Sequence, residues 1–234
     1  MLPETPMMVP SRTASSAPAL AQNRVLRNTY ALLALSMIPT IAGAWLGVQM
    51  KFSLIGGAHP ALGFMAFLAI AFGFFYGIEK TKNSGWGVAL LLAFTFFMGL
   101  MLSRMIGAVL GFSNGASLIA LAFGGTAAVF ATMATLATTI KRDLTGMGKF
   151  LFVGMIMLLV AAFANLFLQI PALMIVISLI AIAIFSAFML YDINRIVTGG
   201  ETNYITATLA IYLDVYNVFA NLLALLGIAG GSND

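Results

Sequence analysis

Two aspartates, Asp192 and Asp214, are the residues of this sequence best suited to chemistry, because both lie inside or beside strongly apolar segments. A charged side chain near the centre of a bilayer costs about 2.5–3.5 kcal/mol, so it is kept mainly where it faces protein or a water-filled cavity. Carboxylate oxygens suit hard cations such as calcium. Like charges brought close together also resist joint ionisation and titrate as one unit. The two residues therefore predict a cation gate that senses pH.

The two aspartates differ in how strongly they point to function. Asp192 lies near the end of its predicted helix, where its side chain could also reach water. Asp214 lies near the middle of the apolar run 204–226, which contains no basic residue. At 3.6 residues per turn, its face of the helix also carries Asn203, Asn217 and Asn221. A polar face of this kind would be costly in lipid, so we expect the last helix to be enclosed by the others.

Composition places the chain in a membrane and excludes several other classes. Of its 234 residues, 62% are hydrophobic and only 8% are charged, against about 25% in soluble domains. The net charge of +4 is scattered among connections and does not indicate nucleic acid. The absence of cysteine excludes disulfides and thiolate sites. His59 is read as an ordinary loop residue, and no nucleophile–base pair is visible, so an enzyme is not expected.

The apolar segments predict an all-α membrane protein, a seven-transmembrane-helix bundle. Each segment is close to the roughly 20 residues that cross hydrocarbon. The predicted spans are 28–48, 60–78, 86–103, 118–140, 150–169, 172–191 and 204–226. Residues 1–23 are rich in Pro, Ser, Ala and Thr and are predicted to form a flexible cytoplasmic tail. Residues 24–234 then form a single transmembrane domain.

The basic residues predict the orientation of this bundle. Nine of them fall on the side of the N-terminus, namely Arg12, Arg24, Arg27, Lys80, Lys82, Lys141, Arg142, Lys149 and Arg195. The other side carries only Lys51 and Arg104. The positive-inside rule then puts the N-terminus in the cytoplasm and, after seven spans, the C-terminus in the periplasm.

Several motifs resemble a known family. The C-terminal part contains LYDINRI, GGETNYI, IYLDVYN and NLLALLG, and earlier segments read RVLRNTYALLALSM and NLFLQIPAL. Together they resemble the Bax inhibitor-1 family, in its bacterial YccA-like branch, from about Arg24 to Gly227. The resemblance implies a seven-helix bundle with the C-terminal helix central, in the bacterial inner membrane. It also implies a pH-sensitive calcium leak through a di-aspartyl site at Asp192 and Asp214.

The sequence departs from the family pattern in one respect. Members that leak calcium can carry a basic latch residue in the second helix, and residues 60–78 contain no Lys or Arg. Arg195, one turn beyond Asp192, is the nearest substitute. The predicted supporting polar residues are Arg195, Glu201, Asn203, Asn217 and Asn221. In a symmetrical hairpin of the last two helices, the two aspartates would also be offset along the helix axis by one to two turns. The packing of the helices must correct this offset if the two side chains are to meet.

A second function is suggested by the same resemblance. YccA-like proteins resemble regulators of FtsH, a membrane-anchored AAA protease, and act as its substrates or inhibitors. A cytoplasmic tail at residues 1–23 suits a protease that needs an unstructured handle. The predicted partners are therefore the bilayer, calcium and protons in the first case, and FtsH in the second.

Overall fold

The computed structural model describes residues 17–54, 60–140 and 142–230, and these form a bundle of seven α-helices. The helices are α1 (Ala17–Gln49), α2 (Pro60–Thr81), α3 (Gly85–Leu110), α4 (Gly115–Thr139), α5 (Gly148–Leu168), α6 (Pro171–Val197) and α7 (Tyr204–Gly230). All seven are long and apolar enough to cross a membrane, which confirms the predicted fold class. His59, Lys141 and residues 1–16 of the predicted tail lie outside the described residues.

The helices extend further than the apolar segments that predicted them. Helix α1 begins at Ala17, so residues 17–23, which the sequence assigned to the tail, are helical. Proline fits the first turn of a helix, and the Leu, Ala and Gln residues that follow are good helix formers. Helix α6 continues to Val197, beyond its predicted end at Tyr191. Hydropathy locates only the part in hydrocarbon, whereas a helix continues as long as each N–H meets the carbonyl four residues earlier.

Helix α7 is the centre of the bundle, as predicted. It packs against α1, α2, α3, α4 and α6, and no residue from Tyr204 to Gly227 is exposed. Helix α5 lies at the periphery, where Leu158 is its one buried residue. The large apolar side chains that α5 exposes face the lipid, whereas α7 is surrounded by protein. A polar group on α7 is therefore solvated by the bundle.

Glycines allow α1 and α3 to approach each other at backbone distance. A Cβ atom on Gly43 would overlap the carbonyl oxygen of Phe96, and one on Gly99 would overlap the carbonyl oxygen of Thr40. Small residues of this kind are typical of close contacts between membrane helices. Gly73 of α2, by contrast, faces open space. The α1–α3 contact is the most extensive between any two helices of the described bundle, and it forms one wall around α7.

Candidate functional site

The structure brings Asp192 of α6 and Asp214 of α7 together. Their carboxyl groups are close enough to share a hydrogen bond. Asp214 is 4% exposed, and the side chain of Asp192 is 13% exposed. Two carboxyl groups can share a hydrogen bond only when one of them carries a proton. The arrangement can therefore hold a proton between two oxygens, or release it and offer two negative charges to a cation.

One oxygen of this pair has no partner. Asp214 Oδ2 is buried and makes no hydrogen bond within the described part of the chain. Buried polar atoms are satisfied in the great majority of cases, so an orphan of this kind calls for an explanation such as an ion or a water molecule. Asp214 is the deeper member of the pair, since it lies ten residues into α7 and Asp192 lies five residues from the end of α6. The pair therefore extends from the end of α6 toward the middle of the bundle.

Arg195 connects the aspartates to the turn between α6 and α7. Its guanidinium lies 3.9 Å from Asp192 Oδ1 and 3.7 Å from Glu201 Oε2. It also lies over the ring of Tyr191, 5.7 Å from the ring centroid. Both ion pairs are long and partly exposed, so each contributes only about 0–1 kcal/mol. Arg195 can therefore shift between Asp192 and Glu201 at little cost in free energy.

Glu201 and Asn203 fix the start of α7. Glu201 Oε1 accepts hydrogen bonds from the backbone N–H groups of Thr202 and Asn203, both at 2.9 Å. Asn203 Oδ1 accepts from the N–H of Ile205 at 2.9 Å and so caps the helix. Asn203 Nδ2 donates to the carbonyl oxygen of Lys82 at 2.9 Å, which ties the cap to the connection between α2 and α3. These two residues position α7 but do not touch the carboxyl pair.

Asn217 and Asn221 lie further along α7 and use their side chains within their own helix. Asn217 Nδ2 donates to the carbonyl oxygen of Leu213, and Asn221 Nδ2 to that of Asn217, both at 2.8 Å. Asn221 also lines a recess of about 340 Å³ beside Ser178 of α6 and Asn165 of α5. The predicted polar face of α7 therefore exists, but both amides donate to carbonyl oxygens of α7 itself and not to the carboxyl pair.

Two tyrosines that the sequence analysis did not single out hold α7 against α1 and α3. The hydroxyl of Tyr212 lies 2.9 Å from Thr40 Oγ1, and the hydroxyl of Tyr216 donates to the carbonyl oxygen of Met98 at 3.3 Å. They stand two residues before and two residues after Asp214. The signal was available, because a buried tyrosine hydroxyl usually has a hydrogen-bond partner. Both tyrosines fix the rotation of α7 about its axis and so the direction of Asp214.

Asn194 was also missed, and it positions Asp192. This side chain is fully buried at the end of α6. Its Nδ2 donates to the carbonyl oxygens of Ile140 and Arg142, at 3.3 and 3.2 Å. Its Oδ1 accepts from the N–H of Leu144 at 3.1 Å. Three hydrogen bonds thus join α6 to the connection between α4 and α5, two residues beyond Asp192.

This geometry defines a class of membrane protein. In it, the central helix of a bundle is enclosed by the others and forms a carboxyl pair with a neighbouring helix. Residues 22–231 match the family described as "Inhibitor of apoptosis-promoting Bax1". This match covers α2 to α7 completely and most of α1. The chain belongs to the Bax inhibitor-1 family, as its motifs predicted.

Relatives in several bacteria resemble the chain over almost its whole length. A protein of Neisseria meningitidis is 38% identical over 212 residues, which are 90% of this chain and 93% of the relative. A membrane protein of Vibrio cholerae is 35% identical over 229 residues, 98% of this chain and 99% of the relative. The "Modulator of FtsH protease YccA" of Escherichia coli is 36% identical over 210 residues, 90% of this chain and 92% of the relative. The similarity to the Vibrio cholerae protein therefore includes all seven helices, with Arg195 at the end of α6 and Glu201 in the turn that follows.

Proposed function

We propose that this protein is a pH-sensitive calcium leak channel of the bacterial inner membrane, with Asp192 and Asp214 as its ion-binding gate. The observation that carries the proposal is the buried carboxyl pair between α6 and the central helix α7, with the unpartnered oxygen of Asp214. A relative of Escherichia coli is named an inner membrane protein, which supports the location. No catalytic role is proposed for any residue.

The carboxylate oxygens of Asp192 and Asp214 suit an ion that passes through the bundle. Calcium takes 6–8 oxygen ligands, and two carboxylates supply at most four. Within the described residues no group of three His, Cys, Asp or Glu side chains is placed to hold a metal. Water must therefore complete the coordination, and calcium is cargo here, without a resident metal or other cofactor. Protons compete with calcium because only the deprotonated carboxylate is a ligand, so calcium binding weakens as the pH falls.

Arg195 supplies a basic latch from α6 in place of one from the second helix. Its guanidinium competes with a cation for Asp192, and Glu201 offers it a second acceptor in the adjoining turn. In the closed state Arg195 stays near Asp192. When a cation reaches the carboxyl pair, Arg195 moves toward Glu201. Arg195 and Glu201 are the charged groups that act on the pair, so the pH response depends on them as well as on the two aspartates.

Calcium flux into dye-loaded liposomes tests the channel. Between about pH 5.5 and 8, above the ordinary range of free carboxyl groups, the wild-type flux should change with pH. Asp192→Asn and Asp214→Asn keep the size of the side chain and remove its charge, so each should abolish the pH dependence. The double variant should add little, because residues that act as one unit are not additive.

Asp143→Asn is the matched control, because Asp143 is an exposed carboxylate outside the spans. It should keep the wild-type pH profile. Thermal unfolding of each purified variant shows whether the bundle is intact. Folded aspartate variants that keep the wild-type flux and profile would make the pair structural and end the channel proposal.

A second candidate function is modulation of the FtsH protease, in which this chain is its substrate or inhibitor. It is favoured by the relative of Escherichia coli that carries this activity in its name. Similarity over nine-tenths of both chains makes a shared partner reasonable. The two candidates depend on different parts of the chain, because a protease handle does not need the aspartate pair.

Deletion of residues 1–16 tests the second candidate and leaves α1 complete from Ala17. If FtsH engages this segment, the shortened protein should live several-fold longer than the full chain in a pulse-chase experiment. The same comparison in cells that lack FtsH is the control, and there the two lifetimes should agree. Equal lifetimes in cells that contain FtsH would rule out an N-terminal handle.

The orientation of the bundle remains a prediction of the charge asymmetry, with the N-terminus cytoplasmic and the C-terminus periplasmic. An alkaline phosphatase fusion after Asp234 should be active, because this enzyme works only in the periplasm. The same reporter inserted near residue 145, in the connection between α4 and α5, should be inactive. An inactive fusion after Asp234 would place the C-terminus in the cytoplasm and contradict the predicted orientation.

A further inference from the structure

A basic recess lies at the end of the bundle opposite the turn between α6 and α7. It has a volume of about 490 Å³ and lies between the last turn of α1 and the last third of α3. Its lining includes Gly47, Lys51, Ser53, Ser103, Arg104 and Gly107. Gly47 packs closely against Ser103, whereas a Cβ atom on Gly107 would have only a methyl group of Val48 near it, at 3.9 Å. No acidic residue of the described part of the chain lines the recess.

The two cations of this recess have no partner among the residues that the structure describes. Within the described ranges, neither the Lys51 ammonium nor the Arg104 guanidinium takes part in an ion pair or side-chain hydrogen bond, and both residues are exposed. The hydroxyl of Ser53 is likewise without a hydrogen-bond partner among those residues. The side chain of Ser103 is already used, since it donates to the carbonyl oxygen of Leu100 at 2.6 Å. Two positive charges and one hydroxyl donor therefore border the same space.

Arg104 lies at the edge of the apolar part of α3. The predicted span of this helix ends at Ser103, and the helix continues for six residues beyond Arg104, about 9 Å. A long basic side chain at such a position keeps its charged group at the polar surface of the membrane. Lys51 lies just beyond α1, in a left-handed conformation with a φ of 52° that is uncommon for residues other than glycine. Both cations thus border the polar surface of the membrane.

We propose that this recess binds a phosphate group, and that the group belongs to the headgroup of an anionic phospholipid. Basic pockets between transmembrane helices recognise phospholipid headgroups by charge and by hydrogen bonds to the phosphate oxygens. Arg104 offers a planar fork of donors for two phosphate oxygens, and Lys51 offers a point charge. The acyl chains of the lipid lie along the apolar surface of α1 and α3. The site is separate from the carboxyl pair and does not depend on calcium transport.

Thermal unfolding of the detergent-solubilised protein tests the proposal. Short-chain phosphatidylglycerol, at about one hundred times its dissociation constant, should raise Tm by roughly 5–10 °C. Short-chain phosphatidylcholine, which has the same phosphate but no net charge, should have a much smaller effect. Inorganic phosphate in a third arm identifies the source: an equal rise would assign the site to free phosphate, and a small rise would assign it to lipid.

Variants link the effect to the recess. The double variant Lys51→Gln, Arg104→Gln should lose most of the rise with phosphatidylglycerol, whereas Arg104→Lys, which keeps the charge, should retain part of it. Lys149→Gln is the matched control, because Lys149 is an exposed basic residue at the other end of the bundle. It should respond like the wild type. An unchanged rise in the double variant, or equal rises with the two lipids in the wild type, would overturn the proposal.

Discussion

Replacement of Gly99 by leucine should separate α1 from α3 and destabilise the bundle more than any other single change discussed for this protein. A Cβ atom at this position would overlap the carbonyl oxygen of Thr40 and lie 2.9 Å from the backbone nitrogen of Ala44. Both obstacles are backbone atoms, so they cannot move aside as a side chain can. Overpacking typically costs about 1–3 kcal/mol, and we expect at least the top of that range. Thermal unfolding in detergent measures the loss.

Gly73→Leu is the matched control. The same change is made in a membrane helix, but no atom of another described helix lies within 4 Å of the added Cβ. Its Tm should stay close to that of the wild type. Because Thr40 also meets the hydroxyl of Tyr212, Gly99→Leu should in addition disturb α7 and reduce the pH response of calcium flux. Similar unfolding temperatures for the two variants would contradict the close α1–α3 packing.

Asn194→Ala should be the second most damaging substitution. It removes three hydrogen bonds that join α6 to the connection between α4 and α5. Each is worth about 0.5–1.5 kcal/mol, and backbone groups left buried without a partner cost more. We therefore expect a loss of roughly 2–4 kcal/mol. Unfolding in a denaturing detergent measures it, and hydrogen exchange should show faster exchange at the amide of Leu144.

Asn217→Ala makes the same chemical change at a position where little is lost. The amide of Asn217 donates to the carbonyl of Leu213, which belongs to the same helix. Such back-bonding contributes little to helix stability, so the effect should stay below about 1 kcal/mol. A large effect at Asn217 with a small one at Asn194 would show that the polar face of α7 is more important than the connection between α4 and α5.

The number of helices could be predicted from the sequence, but their ends could not. Each apolar segment is long enough to cross a bilayer, and hydropathy therefore identified all seven spans. The predicted beginning of α1 and the predicted end of α6 lie closer to the membrane centre than the ends of these helices in the structure. These ends depend on helix propensity and capping outside the hydrocarbon. The glycine with φ of 82° that follows α6, Gly199, marks where that helix stops.

The residues of the site could be predicted from the sequence, whereas the contact between their side chains could not. Asp192 and Asp214 stand out because carboxylates are rare in hydrocarbon. Measured from the turn, however, they differ by five residues, about 7.5 Å of helix. Whether the two side chains meet across this offset depends on how α6 and α7 are inclined, and packing against other helices decides that. Tyr212 and Asn194 escaped attention for a related reason, since their partners belong to helices or connections far away in sequence.

Because α1 contacts α7, the bundle can be completed only after the last helix has been synthesised. The hydroxyl of Thr208 in α7 donates to the carbonyl oxygen of Tyr204 at 2.6 Å and also lies 3.3 Å from the carbonyl oxygen of Thr29. The hydroxyl of Tyr212 lies 2.9 Å from Thr40 Oγ1. The first helix, α1, thus finds polar partners on the last helix, α7. A nascent chain that stops after α6 has Asp192 without Asp214 and an open centre where α7 belongs. Interrupted translation therefore yields a product in which Asp192 and the polar groups of α1 that face α7 lack their partners.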